Sequence, residues 1–236
     1  MEINMKRVGA LIKRDWILYK RNFYIGILAL GSICVLMMFM VSDEADPRLP
    51  DDVPEIIFSV MLFSVGSLFT LRSFREFKRP ADAVTYIGIP ASHMEKFLSR
   101  WIVTLPIFVI VCSVVFIASY SLFSIAAEQV WGVIFTPFGT FRWFFFEDII
   151  FHYVFTHSVF LFFALCFNSN TLVKSLLVFV VAWILFVMFI YYKNNGGVQA
   201  DDAFKAMIRS NQTMGMSIVI LILWALSYNR LKAKTA

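Results

Sequence analysis

In EDIIFHYVFTHS, residues 147–158, the side chains able to do chemistry are Glu147, Asp148, His152 and His157. The chemistry open to them is metal ligation, catalysis by an Asp/His pair, or a polar site on a transport path. Asp148 and His152 are four residues apart and share a helical face, whereas His157 lies five further on and is rotated away from it. At helical rise His157 stands roughly 15 Å inward from Glu147, deep enough in a bilayer for its ionisation to be costly. A metalloenzyme needs three or four convergent ligands, and the chain contains no HExxH. Asp148, His152 and His157 are therefore candidates for a transport path or for hydrogen bonds between helices, with intramembrane Asp/His chemistry as the enzymatic alternative. There is also no GxxxxGK[ST], so the chain lacks a phosphate-cradling loop and any ATP hydrolysis belongs to another subunit. Cys34, Cys112 and Cys166 all sit in apolar runs and read as small hydrophobes, without CxxC or metal spacing.

The elements that must position these residues are set by composition. Of 236 residues 60% are apolar and 16% charged, with mean hydropathy +0.76 and 27 phenylalanines. A water-soluble domain carries about 25% charged residues and could not hide so much apolar surface, so the solvent for most of this chain is lipid. Apolar runs cover residues 23–41, 56–71, 101–127, about 144–167, 175–192 and 214–228. A bilayer core asks for about 20 helical residues. The expectation is an all-α polytopic membrane protein with six transmembrane helices in a single domain, residues 1–236. Five spans and a re-entrant segment form the competing count. The sixth run is short, and either begins earlier, within DDAFKAMIRSNQTMG, or packs against protein where lipid would not suit it. Pro137 and Gly139 break the stretch 131–145, which suits either the headgroup boundary or a partial dip into the membrane.

Charge orients the spans. With six crossings, one side receives 16 Lys and Arg and 5 acids, the other 5 and 11, giving +11 and −6. The positive-inside rule places the basic side, with both termini, in the cytoplasm of a multi-pass inner-membrane protein. The basic pI near 9.2 is then explained by anionic inner-leaflet lipids and needs no nucleic acid. Residues 3–21 form an amphipathic interfacial helix, in which Met5, Val8, Ile12, Trp16 and Tyr19 make an apolar stripe among the basic residues. Its plainest role is a topogenic anchor.

The longest segment joining two spans on the basic side is the corner of residues 72–100. Its first half carries Phe74, Phe77, Val84, Tyr86 and Ile87 between charges, and Pro80 can stop one helix or start the next. Pro90 pushes Ile89 out of helical geometry, and Ser92 and Glu95 then have the spacing of a capping box at the start of the third span. In such a box Glu95→Gln should be mild, because an amide oxygen still accepts. A folded corner of this kind suits a docking surface; it also serves simply to start the third span. Pro106 bends that span to line a path or to fit its neighbours, Gly26 and Gly31 are spaced for helix packing or flexibility, and Ala29, Ser32, Ser59, Ser64, Gly66 and Ser67 permit close helix approach.

The succession of interfacial helix, span, acidic outer loop, span and long basic corner resembles the membrane subunit of ABC-2 type exporters. The sharpest likeness is the turn Ile89, Pro90, Ala91, Ser92 followed by Glu95, Lys96 and Phe97, which resembles a bacterial subgroup of that family. The resemblance implies a permease subunit without enzymatic activity of its own. Its implied partners are a cytoplasmic ATPase subunit that binds ATP and Mg, and a second permease in a homodimer or heterodimer. It further implies an elbow helix at residues 3–21 and a coupling segment at residues 74–86, with Phe74, Phe77 and Tyr86 entering an ATPase groove. Where many family members carry a Pro/Gly-rich hairpin between the last two spans, this chain has NNGGVQADDAF. Besides a membrane enzyme, a non-catalytic assembly factor or receptor is the other class of function the residues allow.

Overall fold

Five apolar stretches of the chain fold as helices long enough to cross a bilayer. The computed structural model describes residues 3–41, 53–78, 80–131, 143–167, 173–175, 177 and 202–235. Its helices are α1 (Met5–Val41), α2 (Val53–Arg72), α3 (Pro80–Ile87), α4 (His93–Ile102), α5 (Phe108–Trp131), α6 (Trp143–Cys166) and α7 (Asp202–Thr235). Among the described residues, those able to span lie in α1, in α2, in the α4–α5 rod, in α6 and in α7. The chain is thus an all-α, multi-spanning membrane protein. The expected run at 175–192 and the stretch 131–145 fall largely outside the described residues. The last helix starts at Asp202, well before the apolar run, while the part of it apolar enough to span is Met214–Lys234.

The chain divides into two compact units, residues 1–69 with 91–154, and residues 70–90 with 155–236. In the first unit, α1 and the rod from α4 to α5 lie side by side and parallel. Their pairs, Asn4 with Glu95, Asp15 with Arg100, Gly31 with Ser119 and Phe39 with Phe123, are separated in sequence by 91, 85, 88 and 84 residues. A nearly constant offset over the whole length means that the two rods run in register from end to end. The helix α2 runs antiparallel to α5, Phe58 meeting Phe116 at 5.2 Å between ring centroids and Phe69 stacking on Phe108 at 5.5 Å.

No helix end separates residues 3–21 from the first span. All 37 residues of α1 are one helix, about 55 Å long. Its inward stripe also differs from the expected one. Val8, Leu11 and Asp15 are buried, spaced three and four apart, while Met5 and Trp16 are exposed.

The third span changes its hydrogen-bonding pattern where Pro106 sits. Val103–Ile107 form a π turn between α4 and α5. Proline lacks an N–H and its ring crowds the carbonyl four residues back, so the helix widens by a turn and then resumes. Tyr153 of α6 packs at this turn. Its hydroxyl reaches the Thr104 carbonyl at 3.4 Å, and its ring lies 6.1 Å from that of Phe108 and 6.0 Å from that of Phe63. Gly66 of α2 makes room for it, since a Cβ there would stand 2.5 Å from the Tyr153 ring and hydroxyl. Gly31 likewise lies against Ser119, whereas Gly26 faces open space.

Gly66→Ala should therefore overpack the junction and cost about 1–3 kcal/mol. Pairing it with Tyr153→Leu should recover part of that loss, whereas Gly26→Ala should be nearly silent. Thermal melting of the detergent-solubilised chain measures all three, and additive single and double losses would show that the two residues do not share the space.

Candidate functional site

The corner folds in three short pieces. At the end of α2 the Ser73 hydroxyl donates to the Thr70 carbonyl at 2.7 Å, tightening the exit from the helix. A 3₁₀ turn follows at Arg75–Lys78, and α3 begins at Pro80, where the missing N–H costs nothing. The helix ends when Gly88 N–H donates to the Val84 carbonyl and Ile89 N–H to the Tyr86 carbonyl, and α4 starts after Ser92. The corner divides at Pro90 between the two compact units.

In the first half, two of the three aromatic residues expected to dock a partner are buried and Phe77 is half-buried. Phe74 and Tyr86 are only 2% and 3% exposed. They close on Phe77, whose ring centroid is 6.3 Å from that of Phe74 and 5.3 Å from that of Tyr86, edge to face. Lys234, near the end of α7, lies over the Phe77 ring at 5.7 Å. The three rings thus build the interior of the corner. Its outward surface is the opposite side of α3, where Val84 is 70% and Ile87 41% exposed beside exposed Ala81 and Thr85.

The second half is built around one carboxylate. Ser92 and Glu95 form the capping box expected from their spacing, Glu95 N–H donating to Ser92 Oγ at 3.2 Å and Ser92 N–H donating to Glu95 Oε2 at 2.7 Å. The other oxygen, Oε1, accepts the backbone N–H of Asn4 at 2.9 Å. Asn4 in turn caps α1, its Oδ1 accepting the Lys6 N–H at 3.0 Å. Two helix beginnings therefore share Glu95, which is 1% exposed. Both present positive dipole ends to it, which favours the ionised carboxylate there. Farther along α1, Asp15 is held by Arg14 at 2.8 Å and by Arg100 of α4 at 3.2 Å. Asn4, Asp15 and Arg100 were not singled out in the sequence. The available signal was Asp15 itself, a lone acid in a basic segment, spaced seven residues from Val8 and four from Leu11 on the buried side.

The candidates on α6 are not brought together. His152 is exposed and His157 fully buried, about 140° apart around the helix, while the Asp148 side chain lies outside the described residues. Among the described residues no three His, Cys, Asp or Glu side chains converge as metal ligands. The chain matches no protein-family model, no curated protein and no solved structure in the comparisons made.

The shared carboxylate changes the expected ranking of variants. Ser92→Ala removes one acceptor and should cost about 0.5–2 kcal/mol. Glu95→Gln should lower the melting midpoint further than Ser92→Ala, because its amide nitrogen cannot accept and would face one of two N–H donors. Equal midpoints for Glu95→Gln and the unaltered chain would remove the Asn4 contact from the argument.

Proposed function

We propose that this chain is the permease subunit of an ATP-driven exporter of the ABC-2 type, working with a separate cytoplasmic ATPase and a second permease chain. The observation that carries the reading is the corner between α2 and α4, a folded element with an outward apolar helix face. A simple linker would not need an aromatic interior, a proline-started helix and a capping box within thirty residues. The lopsided distribution of Lys and Arg supports a cytoplasmic position for this corner. Its two halves belong to different compact units, so a force on α3 acts directly on one of them, and α4 is anchored in the other. The chain's own residues offer no phosphate loop, which is why the ATPase is assigned to a partner.

In this reading the contact with the ATPase is made by Ala81, Val84, Thr85 and Ile87, while Phe74, Phe77 and Tyr86 hold α3 in shape. The π turn at Pro106, with Gly66 and Tyr153 against it, is the irregular point of the third span. Substrate identity is left open by these features, and His152 and His157 stay candidates for the transported species' route.

The chain, tagged and extracted from its own membranes in several mild detergents, should carry an ATPase in stoichiometric amount. Val84→Asp and Ile87→Asp should each weaken that capture at least tenfold while leaving the melting midpoint within a degree or two, because each charge meets a closed interface only in the complex. Phe77→Asp should instead lower the melting midpoint. Absence of any ATPase across detergents, or full capture by both α3 variants, would overturn the proposal.

A further inference from the structure

A basic pair recurs three times on α1, at Lys6–Arg7, Lys13–Arg14 and Lys20–Arg21, each seven residues after the last. Seven residues advance a helix by about 10.5 Å and return within about 20° of the same direction, so the pairs form one stripe. Lys6, Lys13 and Lys20 are exposed on the side of α1 turned away from Val8, Leu11 and Asp15; Arg21, also exposed, flanks them, and Arg7 is exposed nearer α4, where its charge favours the ionised Glu95. The acids that could neutralise the stripe from the two packed elements are already engaged, Asp15 by Arg14 and Arg100, and Glu95 by two backbone N–H groups. The face therefore has a single sign.

Apolar side chains are interleaved with these cations. Ile17 is 58% exposed and lies between Lys13 and Lys20 on their own face, and Tyr24 continues the line four residues beyond Lys20. Trp16 closes the end of the stripe, edge to face with Phe23 at 5.0 Å and with Tyr24 at 5.8 Å, where the apolar span Phe23–Met40 begins. Cations beside half-immersed aromatic and aliphatic groups, continuous with a membrane span, match the headgroup layer of a bilayer. An acidic soluble protein or a nucleic acid would leave Ile17 and Tyr24 facing water.

We infer that the exposed face of α1 over residues 13–24 is a binding stripe for anionic phospholipid headgroups. Lys20 and Arg21, about 3–5 Å below Phe23 along the axis, contact phosphate directly. Lys13, about 15 Å below Phe23, approaches the layer through its long side chain, whereas Lys6 and Arg7, about 24–26 Å below, lie more than a Debye length away and add little. This role is independent of whether the chain transports anything.

The test uses the whole chain in neutral detergent, titrated with dioleoyl-phosphatidylglycerol or with the zwitterionic phosphatidylcholine analogue while the melting midpoint is followed. The midpoint should rise with phosphatidylglycerol alone, and the rise should shrink when salt is raised from about 0.05 M to about 0.5 M. A cation near an anionic surface contributes roughly fivefold in affinity, so Lys13→Gln/Lys20→Gln/Arg21→Gln should raise the half-maximal lipid dose about 100-fold. The charge-keeping set Lys13→Arg/Lys20→Arg/Arg21→Lys should retain the response, as should Arg230→Gln/Lys232→Gln. Equal responses to the two lipids, or an unchanged dose in the triple Gln variant, would overturn the inference. So would a response to soluble polyglutamate without one to phosphatidylglycerol, which would assign the stripe to an acidic soluble partner. If the Gln variant does not fold, the salt and lipid comparisons on the unaltered chain still decide.

Discussion

One carboxylate, that of Glu95, fixes where two helices begin. A helix start leaves N–H groups that need acceptors, and burial makes each unmet need expensive. Glu95 meets that of Ser92 in its own turn and that of Asn4 from a helix 91 residues away. Once these two beginnings are tied, the parallel rods above them have little freedom to slip. A shift by a single residue would turn their faces by about 100° and move Asp15 off Arg100 and Gly31 off Ser119. The register seen at Phe39 and Phe123, more than thirty residues up α1, is thus consistent with the same constraint acting at the base.

The polar contacts are concentrated near the starts of the rods, and apolar fit takes over higher up. Glu95, Asp15, Arg100 and Lys96 are all buried around α4. A buried ion pair is seldom a large source of stability, since desolvating the charges offsets their attraction. Its value here is discrimination, because a misaligned α1 would break the pairing of Asp15 with Arg100. Above Pro106 the fit passes to small residues and rings. Gly66 admits Tyr153 to a space that any Cβ would fill, against the widened turn at Val103–Ile107.

What could be read from the sequence was local. The capping box depends on two residues three apart, the proline start of α3 on one residue, and the apolar spans on runs of composition, so each was visible without knowing what lay next to it. What escaped was the direction a side chain faces once distant elements pack. Phe74, Phe77 and Tyr86 were recognised as misplaced in a solvated linker, but whether such rings turn outward to a partner or inward to one another is decided by long-range contacts. The same holds for Asn4, whose backbone donor carries no sequence signature at all. The break expected after residue 21 came from treating the change from basic to apolar composition as a change of element. Helical hydrogen bonding does not require one, since Lys, Arg, Leu and Ile all continue a helix.

The unbroken α1 gives its lower half a double character. One side is committed to α4 through Val8, Leu11 and Asp15, and the other carries the Lys and Arg pairs and Ile17. Because the helix is continuous, whatever is bound along the outer side acts on the same rigid element that Glu95 anchors on the inner side. A helix cannot tilt or rotate at one face without moving the other. The capped turn after Pro90 is therefore coupled mechanically to the basic stripe through α1, and to α5 through the π turn.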